Sequence, residues 1–186
     1  MQNIRMWIER TISGSLRRMA KEFPAVLVTG PRQVGKTSLL RHLWPDMTYV
    51  SFDSRSLASQ AEGSPDEFFL SLKEPVILDE IQYVPSIFRD LKARIDRNRR
   101  PGRFLLTGSQ TFPLMQGVSE SLAGRCGILS MHSLSWEEVA GSLPKFSDTQ
   151  YVAQGGFPEL YSGSIQKPSD WYAAYLERIW KETCET

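Results

Sequence analysis

Residues that build metal sites and disulfide frameworks are scarce in this sequence. The chain of 186 residues has two cysteines and two histidines. Cys126 and Cys184 lie far apart, without the short spacing of a metal site. His42 and His132 have no carboxylate or cysteine at ligand spacing. We therefore expect free thiols, as in proteins of a reducing compartment, and no metal site made from these four residues.

The sequence also lacks an excess of charge and a long apolar run. Lys and Arg number 22 and Asp and Glu 21, so the net charge of +1 gives no global attraction for nucleic acid or a membrane surface. Residues 97–103, "RNRRPGR", have no aromatic residues that could stack on bases, so we interpret these arginines as a solvated helix end. No apolar stretch approaches the ~20 residues that cross a bilayer, and charges interrupt the N-terminal segment. We expect a cytoplasmic protein outside the membrane.

Apolar residues are arranged as strands that alternate with helices. Short apolar runs predict five strands, at residues 24–30, 47–53, 74–80, 103–109 and 125–134. Helical spacing predicts helices over residues 4–22, within "GKTSLLRHLW" at residues 35–44, which must end before Pro45, and over residues 84–95. Ser64 and Ser169 are expected to cap two further helices, and Ser135 with Glu138 has the spacing of a capping box.

This alternation indicates an α/β fold with a mostly parallel five-stranded sheet, covered by helices on both faces and followed by a small helical lobe. We expect a helical segment at residues 1–22, the α/β core at 23–140 and the helical lobe at 141–186. Ligands of such sheets bind at the carboxyl ends of the strands.

The stretch "GPRQVGKT" follows the first predicted strand and opens a helix. Two glycines with four residues between them, followed by Lys and Thr, form the phosphate-loop pattern. Glycine lets the backbone curl around phosphates, and the following helix directs its positive end at the same anion. We expect the lysine to neutralise the β- and γ-phosphates and the threonine to bind Mg²⁺. The expected nucleotide-binding residues are Gly30, Pro31, Arg32, Gln33, Val34, Gly35, Lys36, Thr37 and Ser38.

An acidic pair ends the third predicted strand, in "VILDEIQ". The strand would deliver both carboxylates to the sheet edge where the phosphates bind. We expect Asp79 to hold Mg²⁺ or one of its waters, and Glu80 to orient and polarise the attacking water.

The fourth predicted strand ends in "LLTGSQ". If this strand lies between the strand that leads into the glycine loop and the strand that ends in the acidic pair, its polar tip would lie between the γ-phosphate and the water that attacks it. Ser109, or else Thr107 or Gln110, is suitably sited to sense that phosphate.

The series of motifs resembles a known family. The glycine loop, "ILDEIQ", "LLTGSQ", "SLAGR" and "GGFPEL" follow one another as in the bacterial and archaeal AAA-type ATP-binding proteins related to the archaeal ATPase group. The resemblance implies an ATPase core of the P-loop type, with the roles given above for Lys36, Thr37, Asp79 and Glu80. It also implies a polar sensor at the tip of the fourth strand, matched by Ser109.

The resemblance further implies an arginine that reaches the γ-phosphate, from the same or a neighbouring subunit of a homo-oligomer. Arg125 in "SLAGR" is the position we nominate; alternatively it forms a surface ion pair at a strand start. Family members usually continue into a second domain, whereas this sequence stops at "KETCET", so we expect a shortened form of the family pattern.

The function expected from these motifs is hydrolysis of ATP to ADP with Mg²⁺. An alternative is a binding switch that holds the nucleotide for a protein or DNA client and turns it over little. A small-molecule kinase fits less well, because it would not need the adjacent carboxylates. No guanine-reading segment is recognisable, which favours ATP over GTP.

Overall fold

The core of the protein is a sheet of five parallel strands. The computed structural model describes residues 7–109, 117, 118 and 120–184. The strands are β1 (Ala25–Gly30), β2 (Thr48–Ser51), β3 (Val76–Asp79), β4 (Phe104–Ser109) and β5 (Cys126–Ser130). They lie in the order β2-β3-β4-β1-β5, and every neighbouring pair is parallel.

The strand order positions the polar strand ends. All six residues of β1 and all four of β3 are buried, as expected of strands covered on both faces. Strand β4 lies between β1 and β3, so the glycine loop after β1, the acidic pair after β3 and the tip of β4 share one edge. The predicted α/β class and the central place of the fourth strand are confirmed.

Helices whose bounds are fully described accompany the sheet in residues 11–132, which form one compact unit. They are α1 (Ser13–Glu22), α2 (Lys36–Leu43), α3 (Arg55–Gly63), α4 (Pro65–Ser71) and α5 (Ile87–Arg97), with a 3₁₀ helix at Ile81–Tyr83 before α5. Helix α3 was not predicted, because its segment is polar and only Ala61 is buried. Ser64 precedes α4 but its side chain makes no capping hydrogen bond, so that cap was predicted wrongly.

The N-terminal helix is shorter than predicted. It begins at Ser13, whereas residues 7–10 are not helical and residues 11 and 12 form a turn. Ile4 lies outside the described residues. Ile8 is buried in a cluster with Leu134 and Val139, so part of the isoleucine spacing reflects burial of a non-helical segment and not a helix face.

A second compact unit combines residues 7–10 with residues 133–184. It contains α6 (Trp136–Ser142), α7 (Asp148–Gln154), a 3₁₀ helix at Pro158–Tyr161 and α8 (Pro168–Cys184). The predicted capping box of Ser135 and Glu138 is present, and Ser147 with Gln150 forms another before α7. Ser169 is not a cap: α8 already includes Pro168, and the Ser169 hydroxyl bonds to Asp170. These two units do not coincide with the boundaries expected at residues 22 and 140.

At the amino edge of the sheet, arginines pair with carboxylates. Arg103, which is 5% exposed, makes two hydrogen bonds to Glu74, from Nε to Oε2 at 2.6 Å and from Nη2 to Oε1 at 2.8 Å. Its Nη1 also donates to the carbonyls of Arg94 and Asn98. The interpretation of residues 97–103 as a wholly solvated helix end was therefore wrong for Arg103, which is a buried structural residue.

Among the described residues, no helix has both the length and the apolar character needed to cross a membrane.

Candidate nucleotide-binding site

The glycine loop joins β1 to α2 in conformations that favour glycine. Gly30 has φ of 144° and Gly35, which precedes α2, has φ of 95°. A Cβ on Gly30 would lie 2.0 Å from the Met131 carbonyl oxygen, so a side chain there would push apart the chains that follow β1 and β5. Gln33 also has positive φ, 62°. The loop is therefore tightly curled, as a phosphate cradle requires.

Lys36 is the first residue of α2 and is almost fully buried, at 4% exposure. Its Nζ donates to the carbonyl oxygens of Gly30 at 3.0 Å and Pro31 at 2.8 Å. Burial lowers the pKa of Lys36 below its ordinary value, although the nearby carboxylates of Glu80 and Asp79 oppose this. The ammonium group is thus held inside the loop by neutral acceptors.

Asp79 ends β3 and is buried, at 3% exposure. Three hydroxyl groups donate to its carboxylate. Thr37 Oγ1 donates to Oδ1 at 2.6 Å, Thr107 Oγ1 donates to the same oxygen, and Tyr49 Oη donates to Oδ2 at 2.8 Å. Burial, together with this bond to Asp79, raises the pKa of Tyr49 to about 12, so the phenol remains a donor.

The Thr37–Asp79 pair matches the donors that Mg²⁺ prefers. The ion takes oxygen ligands, and a site that serves a nucleotide supplies only one or two of them because phosphates and waters supply the rest. A hydroxyl and a carboxylate oxygen 2.6 Å apart fit such a site. The described residues contain no cluster of three or more His, Cys, Asp or Glu residues that would hold a metal ion by themselves.

Glu80 follows Asp79 with a left-handed backbone, φ 55° and ψ 47°. Such a conformation is uncommon for a residue other than glycine and occurs at functional sites. The Glu80 N–H donates to Thr107 Oγ1 at 3.1 Å, which fixes the backbone against β4. Its side-chain Oε2 accepts a hydrogen bond from Gln82 Nε2.

Ser109 ends β4 beside these residues. Its Oγ is buried and has no hydrogen-bond partner among the described residues. A buried hydroxyl usually has a partner, so an orphan at this edge suits a group that meets a ligand. The Ser109 N–H donates to Gln82 Oε1 at 3.2 Å. Gln110, which was an alternative sensor, lies outside the described residues, and Thr107 is occupied by Asp79 and Glu80.

The other residues expected to contact nucleotide lie in or beside the loop. Pro31 offers its carbonyl to Lys36, Val34 is fully buried, and Ser38 lies in the first turn of α2. The guanidinium of Arg32 donates to the hydroxyl of Tyr83 at 3.3 Å.

Arg125 is not brought to this edge of the sheet. It immediately precedes β5, which runs parallel to β1, so it lies at the amino edge, where its carbonyl accepts from Ala25 N. A strand of five residues spans about 17 Å. Arg125 instead pairs with Asp96, from Nε to Oδ1 at 2.6 Å and from Nη2 to Oδ2 at 2.9 Å. The alternative expectation, a surface ion pair at a strand start, describes its position, and within one chain Arg125 does not reach the loop.

Two residues of the site were missed by sequence reasoning, Tyr49 and Gln82. Tyr49 lies on β2, whose neighbour is β3, and its register brings it near the end of that strand. A tyrosine within a predicted strand gives no sign of this contact. Gln82 follows the acidic pair by two residues and was within the quoted motif, so its polar character on a buried segment was an available signal.

The sheet and the loop between its first strand and the next helix define a P-loop nucleoside triphosphatase fold. A family model described as an AAA domain matches residues 22–140. The chain belongs to this AAA family of P-loop ATPases. Membership supports nucleotide binding and hydrolysis as the chemistry of the site.

A Mycobacterium tuberculosis protein named Uncharacterized protein Rv2008c is 32% identical over 173 residues, which cover 92% of this chain and 38% of that protein. This chain thus spans less than two fifths of that relative.

Solved structures share the fold. A Walker-type ATPase of Pyrococcus abyssi has a TM-score of 0.63 at 16% identity, covering 95% of this chain and 77% of that chain. A RuvB variant of Thermotoga maritima has a TM-score of 0.51 at 19% identity, covering 84% of this chain and 58% of that chain.

Proposed function

We propose that the chain binds ATP with Mg²⁺ and hydrolyses it to ADP and phosphate. The observation that carries the proposal is the contact of Thr37 with Asp79 beside the buried Lys36, at the edge where Glu80 also lies. A hydroxyl, a carboxylate and an ammonium group next to a curled glycine loop are the set that a triphosphate with a divalent cation requires.

Each residue has a proposed role in the reaction. The loop N–H groups and Lys36 Nζ bind the β- and γ-phosphates, with Lys36 exchanging its loop carbonyls for phosphate oxygens. Thr37 and Asp79 would hold Mg²⁺, which would neutralise negative charge on the phosphates.

Glu80 accepts a proton from water as the water oxygen attacks the γ-phosphorus. The bond from this phosphorus to the β-phosphate oxygen breaks, and ADP leaves with that electron pair. Ser109 Oγ donates to the γ-phosphate or to the attacking water.

The test is Glu80→Gln in the whole chain. The amide cannot take the proton, so phosphate release should fall roughly 100-fold or more, while ATP affinity stays within about threefold because phosphate binding belongs to other residues. Glu62→Gln, which removes an exposed carboxylate of α3, should keep the wild-type rate. An unchanged rate in Glu80→Gln would remove Glu80 from the mechanism.

Preference for adenine is part of the proposal. Titration of fluorescent ATP and GTP analogues, each with and without Mg²⁺, measures base preference and metal dependence together. We expect tighter binding of the ATP analogue, strengthened by Mg²⁺; equal or tighter binding of the GTP analogue would reverse the assignment of the base.

The position of Arg125 favours a second candidate, a nucleotide-dependent binding switch. An arginine at the γ-phosphate accelerates hydrolysis by ~10³-fold or more in related chemistry, and Arg125 of the same chain is engaged by Asp96 at the opposite edge. An isolated chain would then hold ATP for a protein or DNA client, or await the arginine of a neighbouring copy. Micromolar ATP binding without phosphate release above background supports the switch, whereas steady turnover supports the ATPase.

A further inference from the structure

Gln82 makes two hydrogen bonds that involve both ends of its side-chain amide. It lies in the 3₁₀ helix that follows Glu80. Its Nε2 donates to Glu80 Oε2, and its Oε1 accepts from the Ser109 N–H at 3.2 Å. One side chain therefore connects the proposed base, after β3, with the proposed sensor, at the tip of β4.

The chemistry of the two neighbours fixes the orientation of the amide. An ionised carboxylate only accepts hydrogen bonds and a backbone N–H only donates. The NH₂ group of Gln82 must therefore face Glu80, and its oxygen must face Ser109. A glutamate at position 82 would place one carboxylate against another, and an apolar side chain would satisfy neither neighbour.

The bond from Gln82 adds a side-chain anchor to the backbone contacts that hold Glu80. Its backbone is held in the left-handed conformation while its N–H bonds to Thr107. The amide of Gln82 then anchors Oε2, and Oε1 makes no hydrogen bond with a described residue. One carboxylate oxygen is thus anchored and the other keeps its capacity to accept a hydrogen bond, which is the arrangement that a general base needs.

We propose that Gln82 is the positioning residue of the hydrolytic reaction, and that it holds the carboxylate of Glu80 at a set distance from the tip of β4. This inference rests on the proposed ATPase function. A glutamate side chain without this anchor samples several rotamers, and a displacement of about 1 Å from the productive geometry can cost ~100-fold in rate. The hydrogen bonds of Gln82 within the described residues run to Glu80 and Ser109 and not to the glycine loop, so we expect its effect on kcat.

The experiment uses the whole chain with Gln82→Met, which keeps the length of the side chain and removes both hydrogen bonds. Phosphate release under saturating ATP should fall about 10- to 100-fold, while the ATP dissociation constant stays at the wild-type value and the unfolding temperature falls by only a few degrees, the cost of the two lost hydrogen bonds. Gln82→Asn keeps the amide but is one carbon shorter, so it cannot span both neighbours and should show the same loss. Gln60→Met on α3, where the glutamine is exposed, is the matched control and should change nothing.

A double-variant cycle separates positioning from a general structural role. Because Gln82 acts through Glu80, adding Gln82→Met to Glu80→Gln should change the remaining single-turnover rate by less than about twofold. An additional 10-fold loss in the double variant would overturn the inference, as would an unchanged rate in Gln82→Met. A wild-type chain that binds ATP without turnover would overturn both this inference and the proposed function, whereas an active wild type indifferent to Gln82 overturns the inference alone.

Discussion

The two edges of the parallel sheet use charged side chains in opposite ways. At the amino edge, the guanidinium groups of Arg103 and Arg125 each bind a carboxylate through two hydrogen bonds, to Glu74 and Asp96. The bond from Arg125 lowers the pKa of Asp96 and raises its own, so each charge is stabilised by its partner.

At the carboxyl edge, neutral groups surround the charges. Lys36 donates to carbonyls, Asp79 accepts from hydroxyls and Glu80 accepts from an amide. None of these three residues forms an ion pair with another described residue. The carboxylates of Glu80 and Asp79 nevertheless lie close enough to Lys36 to affect its pKa. Hydroxyl, amide and carbonyl partners hold a charged group in place without cancelling its charge, so the charge stays available to a ligand.

Removal of a charge at the carboxyl edge should affect ligand binding most. Lys36→Met keeps the length of the side chain but removes the ammonium group, and we expect ATP affinity to fall on the order of 100-fold, the usual cost of losing a buried charged partner. Lys21→Met removes an exposed lysine of α1 and is the control. Isothermal calorimetry measures both, and equal affinity of Lys36→Met and wild type would contradict the proposed phosphate contact.

Removal of a charge at the amino edge should affect stability and not binding. Arg103→Met leaves Glu74 half-buried without its partner, so the free energy of unfolding should fall by about 3 kcal/mol. The folded variant should bind ATP as wild type does. Urea denaturation of this variant beside Arg100→Met, an exposed neighbour, gives the comparison; a loss of ATP affinity without a loss of stability would show that the two edges do not differ as described.

Tyr49→Phe should have a smaller effect, which is confined to the binding of Mg²⁺. The phenol anchors Oδ2 of Asp79 and leaves Oδ1 facing Thr37. Loss of one hydrogen bond to a charged group costs about 1.5 kcal/mol at the lower end of its range, so the Mg²⁺ concentration that half-saturates phosphate release should rise about tenfold. Nucleotide affinity in EDTA should not change, because no phosphate contact is lost. Tyr172→Phe, which removes a hydroxyl that donates to the Gln154 carbonyl within the second compact unit, is the control tyrosine, and an equal shift in both variants would count against a specific role for Tyr49.

The smallest effect is expected for Arg125→Ala. The pair with Asp96 is exposed to solvent, where ion pairs contribute little to stability. Turnover at low protein concentration should equal that of wild type, because Arg125 does not reach the loop of its own chain. A rate that rises with protein concentration in wild type but not in Arg125→Ala would instead reveal an arginine supplied by a neighbouring copy.

The sequence was most informative where one local pattern determines the structure. Continuous apolar runs predicted the positions of the buried strands. The glycine loop predicted that the proposed site lies at the carboxyl end of the first strand. Arg125 was nominated from family resemblance, although the order of elements already argued against it. A residue before a parallel strand lies at the edge opposite to a loop that follows one.

Contacts between distant segments were not predictable. Tyr49 bonds to Asp79 because the register of β2 against β3 brings them together. Gln82 connects β3 to β4 through a 3₁₀ turn that no periodicity indicates. Helix α3 has too few apolar residues to show a buried face. Each of these features depends on tertiary neighbours, which a single sequence does not specify.

The left-handed backbone of Glu80 has a consequence for redesign of the protein. A glycine would adopt φ 55° without the strain that a side chain adds there. A procedure that selects residues for stability alone would therefore favour Glu80→Gly, and it would delete the proposed base. Efforts to make this chain more heat-resistant should keep position 80 fixed and seek their gains on exposed helix surfaces, where stability and activity do not compete.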